Sequence, residues 1–215
     1  MQLAILDLDG TLLDTIEDLG DSVNEVLRAR GWPEHSYDTY CYYIGDGMEK
    51  LVRRSMPEDA RSDDAVVAEV LEEYRAAYGR NWNKKTQPFP GILELLAELA
   101  ERGVRQAVLS NKPHAFTELC VNDLLPGAPF EKVYGDREGV PRKPHPGAAL
   151  AIAEDLGVAP EDTVFVGDTD VDIRTGVGAG MRSIGVLWGF RDEEELRKAG
   201  ATHIVSEPGE IAALV

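Results

Sequence analysis

Asp7 and Asp9 close a short apolar run, Leu3-Ala4-Ile5-Leu6-Asp7-Leu8-Asp9-Gly10-Thr11. Residues two apart on a strand point to the same face. Two carboxylates would then meet at the strand's C-terminal end, where open α/β sheets place their ligands. An acidic turn built on Asp9-Gly10 accounts for the same residues. The next apolar run ends in Ser110-Asn111-Lys112. A hydroxyl, an amide and nearby backbone N–H groups could hold an oxyanion there; a helix N-cap ahead of Pro113 is the alternative. Arg142-Lys143-Pro144-His145-Pro146 sits before a helical pattern. A lysine held between prolines could clamp a phosphate, or could be a solvated turn residue. Val164-Phe165-Val166 leads into Gly167-Asp168-Thr169-Asp170-Val171-Asp172. If a helix starts near Asp170, Asp168 and Asp172 lie about one turn apart and add two carboxylates. Acids favoured by a helix N-terminus would look the same.

The order of these signals matters more than any one of them. Acid pair, hydroxyl, lysine and acid pair each follow or flank a strand of one sheet. Carboxylates gathered in one place repel, and burying them unpaired is costly. Several oxygen ligands with one lysine nearby describe a Mg²⁺ site that also accepts phosphate. Gly176, Gly178 and Gly180 do not complete a dinucleotide fingerprint, because position 181 is Met, and they read as close helix–strand packing.

The elements that must position these residues follow from hydrophobic patterning. Short strand-like runs recur at Leu3–Leu8, Val104–Leu109, Val164–Val166, Ser183–Leu187 and His203–Val205. Between them lie helical patterns, with Ile92, Leu95, Leu96 and Leu99 on one face and Ala149, Leu150, Ala153 and Leu156 on another. Alternation of this kind predicts an α/β fold, a doubly wound parallel sheet of Rossmann-like type covered on both faces. The stretch 14–84 breaks the rhythm. Ile16, Leu19, Val23, Val26 and Leu27 recur at helical spacing, as do Val66, Val67, Val70, Leu71, Tyr74 and Tyr78. The chain returns through a Pro- and Gly-punctuated segment, Lys84 to Gly91. We therefore expect a core of 1–13 and 85–215 and an inserted helical cap of 14–84.

With 215 residues, 43% hydrophobic and 28% charged, the chain can bury a real core. Its net charge of −17 makes nucleic acid and anionic membrane poor partners. Cys41 and Cys120 make no disulfide framework and are expected as free thiols. No basic n-region with a cleavage signal opens the chain, and no apolar run reaches the ~18 residues of a membrane helix. A cytoplasmic protein, monomeric or homodimeric, is expected.

Taken together, Asp7-Leu8-Asp9-Gly10-Thr11-Leu12, Ser110-Asn111-Lys112, Lys143-Pro144-His145-Pro146 and Gly167-Asp168-Thr169-Asp170-Val171-Asp172 resemble the four motifs of the haloacid dehalogenase superfamily of phosphatases. The resemblance covers essentially the whole chain, and the helical insertion sits where the family's first type of cap sits. Ile44-Gly45-Asp46-Gly47, Thr86 to Gly91, Gly185 to Phe190 and Gly200 to Val205 look most like its phosphoglycolate phosphatase branch.

The resemblance implies an Asp7 nucleophile that forms an aspartyl-phosphate, Asp9 as acid and then base, and Lys143 as partner of Asp7 and a phosphoryl oxygen. It implies Mg²⁺ held by Asp7, Asp168 and the Asp9 backbone carbonyl, with Asp172 binding directly or through water. Ser110 and backbone N–H groups near Asp9, Gly10 and Asn111 would cradle phosphate, and the cap would close during transfer. The substrate would be a small phosphorylated metabolite, 2-phosphoglycolate foremost. Other enzymes of the superfamily share much of this layout: sugar-phosphate phosphatases, pyrophosphatases, phosphomutases and, through Lys50, a Schiff-base phosphonoacetaldehyde hydrolase. A non-enzymatic phosphate-binding protein fits least. If a cap helix starts near Gly47, then Lys50, Arg53 and Arg54 share one face. That face could receive a substrate carboxylate, or it could be solvated and balanced by local acids.

Overall fold

The computed structural model describes residues 2–215. In chain order the elements are β1 (Leu3–Leu6), β2 (Leu13–Asp14), α1 (Ile16–Ala29), α2 (Tyr37–Tyr43), α3 (Met48–Ser55) and α4 (Asp64–Asn81). There follow β3 (Gln87–Pro88), α5 (Ile92–Glu101), β4 (Arg105–Pro113), α6 (His114–Leu124), β5 (Phe130–Asp136) and α7 (Gly147–Asp155). The chain closes with β6 (Thr163–Gly167), α8 (Asp170–Gly178), β7 (Arg182–Val186), α9 (Glu193–Ala199) and β8 (His203–Val205). Two compact units result: the segment up to Asp14 with Pro88–Val215, and Thr15–Gln87.

The first unit is built on a 6-stranded parallel sheet in the order β5-β4-β1-β6-β7-β8. This is the 3-2-1-4-5-6 order of doubly wound sheets, whose direction of winding reverses beside β1. The crevice that such a reversal opens lies at the carboxyl ends of β1 and β6, and the chain places Asp7 and Asp168 there. Both faces of the sheet are covered. Ile5, Ala107, Leu109 and Phe165 pack against Ala148, Ala149, Ile152 and Ala153 of α7. On the other face Gln106 donates its side-chain amide to the Leu96 carbonyl at 2.9 Å, which fixes α5 there. Helix α5 buries Ile92, Leu95, Leu96 and Leu99, the stripe read from the sequence. Each such side chain contributes roughly 1.5–3 kcal/mol of burial. Gly176 lets α8 approach the sheet: a Cβ there would lie 2.3 Å from Ser183 Oγ and 2.8 Å from Phe165 Cβ.

Two features of the sheet differ from expectation. Strand β4 runs on to Pro113, so Ser110-Asn111-Lys112 lies inside the strand and not after it. Strand β5 was absent from the pattern of apolar runs. Its sequence, Phe-Glu-Lys-Val-Tyr-Gly-Asp, is mixed because it is the sheet edge, half-buried along most of its length. Cross-strand partners hold it instead, with Arg105 Nε donating to Glu131 at 2.7 Å.

The second unit is helical. Helix α1 buries Leu19, Val23, Val26 and Leu27, and α4 buries Val67, Val70, Tyr74, Ala77 and Tyr78. Ser36 and Asp63 cap α2 and α4 through their side chains. Buried Asp18 accepts from the backbone N–H of Lys85 at 2.9 Å and of Thr86 at 2.8 Å, and from the Thr86 hydroxyl at 2.8 Å. These bonds tie residues 85–86 to α1, within the unit Thr15–Gln87. Cys41 and Cys120 form no disulfide. Among the described residues no helix is long and apolar enough to cross a membrane.

Candidate active site

Strand β1 delivers Asp7 one residue beyond its last paired position, and β6 delivers Asp168 in the same way. Helix α8 starts at Asp170, which meets the condition set for Asp168 and Asp172 to approach, and Thr169 caps it. The Thr169 hydroxyl and N–H donate to Asp172 Oδ2 at 2.6 and 3.1 Å, which aims the other Asp172 oxygen inward. One carboxylate oxygen from each of Asp7, Asp168 and Asp172 falls within 4.8 Å of the others, and all three residues are buried. Asp170 stands apart and pairs with Arg174 at 3.1 Å.

Lys143 enters this acidic cluster with its side chain only 2% exposed. Its Nζ lies 2.6 Å from Asp7 Oδ1 and 2.6 Å from Asp172 Oδ1. The first contact is an ion pair without hydrogen-bond alignment, and buried Asp7 Oδ1 has no hydrogen-bond donor. One ammonium faces three carboxylates, so full ionisation leaves two surplus negative charges. The energetics follow. Burial pushes the Asp7 carboxyl well above its ordinary range, Asp172 and Asp168 push the same way, and Lys143 only partly offsets them. Burial, then Asp172, raises Asp168 to about 7, against bonds from Phe190 and Thr11 that favour its charged form. Burial alone would lower Lys143, but Asp172 and Asp7 outweigh it and hold the ammonium charged.

An all-oxygen set with two surplus negative charges suits a hard divalent cation such as Mg²⁺. Asp7, Asp168 and Asp172 are the side chains that could hold it. The Asp9 carboxylate is elsewhere. Both its oxygens accept from Lys112 Nζ, at 2.8 and 3.0 Å, so any part of Asp9 in metal binding falls to its backbone carbonyl.

The loop after β1 needs glycine at position 10 twice over. Its φ is +83°, and a Cβ would lie 2.3 Å from Asp168 Oδ2. Its N–H donates to the Leu13 carbonyl at 2.9 Å. This corrects the expectation that the Gly10 N–H cradles phosphate: it closes the turn. The Asn111 side chain is likewise committed. It donates to the Lys143 carbonyl at 3.0 Å and accepts the Lys143 N–H at 2.9 Å. Asn111 therefore aims Lys143, and its amide is not turned to a ligand as the sequence reading allowed. Ser110 Oγ accepts from the Lys112 N–H at 3.2 Å.

Four contributors went unread as site residues. Thr11 Oγ1 donates to Asp168 Oδ1 at 3.1 Å, and the Phe190 N–H donates to Asp168 Oδ2 at 2.8 Å. Trp188 Nε1 donates to the Thr11 carbonyl at 3.0 Å, so the loop after β7 braces the loop after β1. Lys112 is the fourth. Its signal was available, since it belongs to the same short polar run as Ser110 at the end of β4.

In the helical unit, α3 begins after Gly47, whose φ is +94°. Lys50, Arg53 and Arg54 all meet acids of that unit. Lys50 lies 3.1 Å from Asp46, and Arg54 bonds Asp46 at 2.5 Å and the Tyr43 carbonyl at 2.9 Å. Arg53 bonds Glu49, Asp64 and the Arg61 carbonyl.

Comparison with known proteins bears on this arrangement. The family model for haloacid dehalogenase-like hydrolases matches residues 4–186. A phosphoglycolate phosphatase of Aquifex aeolicus is 32% identical over 190 residues, covering 88% of this chain and 86% of that protein. One from Pseudomonas putida is 31% identical over 192 residues, covering 88% of this chain and 70% of that protein. The crystal structure of a candidate phosphoglycolate phosphatase from Lactobacillus delbrueckii subsp. bulgaricus superposes with a TM-score of 0.91 at 32% identity, covering 100% of this chain and 98% of that one.

Proposed function

The chain belongs to the haloacid dehalogenase-like hydrolases, and from that premise we propose that it is a Mg²⁺-dependent phosphatase of a small phosphomonoester, with 2-phosphoglycolate the first candidate. One observation carries the reading: the buried convergence of Asp7, Asp168 and Asp172 on a single point, with Lys143 between Asp7 and Asp172. The names of relatives at about this identity support the substrate.

Asp7 attacks phosphorus in line, its oxygen forming the new O–P bond as the ester O–P bond breaks. Asp9 gives a proton to the departing alkoxide, then takes one from the water that cleaves the aspartyl-phosphate. Lys143, held by Asn111, keeps its ammonium on Asp7 and on a phosphoryl oxygen. Ser110 offers its O–H to another. Bound Mg²⁺ supplies charge that offsets repulsion between the carboxylate and the phosphate dianion. Phosphate release from a panel of monoesters, with and without Mg²⁺, tests the reading. Metal-dependent turnover with 2-phosphoglycolate among the best substrates is expected. A protein inert toward every monoester in Mg²⁺ would overturn it.

Specificity within that panel is assigned to the basic face of α3. Of Lys50→Ala, Arg53→Ala and Arg54→Ala, at least one should lower kcat/KM for phosphoglycolate roughly ten- to hundredfold, the worth of a charge-assisted contact. Ethyl phosphate, with no carboxylate, should lose much less. Arg53 should matter least, because Glu49, Asp64 and the Arg61 carbonyl already engage it. Equal losses on both substrates would remove these cations from substrate recognition.

A further inference from the structure

We propose that Lys112 is a positioning residue for Asp9: its buried ammonium fixes where the Asp9 carboxyl stands, and so governs proton delivery to the leaving group. The proposal rests on the phosphatase reading above.

Three observations carry it. Lys112 Nζ meets both oxygens of Asp9, at 2.8 and 3.0 Å. The Lys112 side chain is 2% exposed and that of Asp9 14%. An ammonium so withdrawn from water loses its hydration, and the pairing offsets that loss. Finally, the Lys112 backbone is pinned on both sides, its N–H to Ser110 Oγ at 3.2 Å and its carbonyl by the Thr117 hydroxyl at 3.1 Å. A Cβ at Gly135 would lie 2.6 Å from the same carbonyl, so β5 packs directly against it. A long flexible side chain thus starts from a fixed point and ends on a carboxylate 103 residues away in sequence.

The pairing separates the carboxylates by task. Asp7 and Asp172 share Lys143, and Asp9 has a cation of its own. An ammonium carries three N–H donors and needs only one acceptor oxygen. It can keep one Asp9 oxygen while the other turns toward the ester oxygen, protonated or not. Without Lys112, Asp9 would be free to rotate away or to be drawn toward any cation at Asp7. A misplacement near 1 Å costs on the order of 10²-fold in rate.

The readout that separates positioning from a general loss of structure is dependence on the leaving group. The ratio kcat/KM reports formation of the aspartyl-phosphate, the step in which the leaving oxygen departs. An alkoxide needs a proton there; p-nitrophenolate does not. Lys112→Met should therefore lower kcat/KM on phosphoglycolate and ethyl phosphate by roughly 30- to 100-fold, and on p-nitrophenyl phosphate far less. Lys112→Arg, which keeps the charge, should recover much of the alkyl-phosphate loss. In an Asp9→Asn background, Lys112→Met should cost little more, since its partner's task is already gone. Thermal melting of each variant checks the fold, and Lys112→Arg carries the test if the methionine variant does not fold. A wild-type protein inactive on all three esters would sink the phosphatase reading itself. An active wild type whose Lys112 variants lose equally on all three esters would leave that reading intact and overturn this one.

Discussion

Asp7→Asn should fold, and should turn over phosphomonoesters more slowly by on the order of 10⁴-fold or more. The amide matches the carboxylate in shape but is no nucleophile, so the step that splits one hard displacement into two easier ones is lost. The same substitution should stabilise the metal-free protein. Burial and the neighbouring Asp172 hold the Asp7 carboxyl well above its ordinary range in the folded state. A group raised in this way is stabilising only while protonated; the benefit is lost as pH rises from its unfolded value through the folded one. In chelator, the asparagine variant should therefore gain on the wild type in Tm as pH rises. Loss of the Lys143 contact works against this, but Lys143 retains Asp172 at 2.6 Å. Appreciable turnover by a purified variant free of wild-type protein would end the covalent mechanism.

The ends of strands were the most legible part of the chain, and the reason is physical. Leu3 to Leu6 and Val164 to Val166 are covered on both faces, so they must be apolar throughout, and an acid within two residues of the end of such a run is conspicuous. The start of helix α8 was marked in the sequence by its acids, Asp170 and Asp172, because charges that suit a helix N-terminus stand next to it in the chain. What escaped was everything decided by a partner distant in sequence. Asn111 reads as a phosphate ligand when it is considered alone; its task depends on Lys143, 32 positions on. The Gly10 N–H looked available until Leu13 folded back onto it. Strand β5 carries charges that only its place at the sheet edge makes tolerable. Lys112 looked like one more polar residue in a motif, and only the fold brings Asp9 onto it.

Removing divalent metal should silence the enzyme, and Mg²⁺ should restore it; Ca²⁺ should bind without supporting turnover, because its larger, looser shell misplaces the in-line oxygens. Stability should report the same site independently of activity. Asp168 is raised to about 7 in the folded protein, from an ordinary carboxylate value near ~3.9. The folded state then holds a proton that the unfolded chain has released across that interval, so this contribution fades as pH climbs from about 4 to about 7. Other carboxylates titrate too, and comparison with Asp168→Asn removes their part. In chelator, wild type should fall progressively below Asp168→Asn in Tm between pH 5 and pH 8. Mg²⁺ at about 100 times its Kd adds about 2.7 kcal/mol to the wild type. For a chain of this size that is a Tm rise of roughly 5–10 °C. The asparagine variant, short of one ligand and one charge, should gain much less, so the gap should close or reverse. Full activity in chelated protein, or equal Tm gains from Mg²⁺ in both proteins, would show that these three carboxylates hold no cation and that their crowding serves some other end.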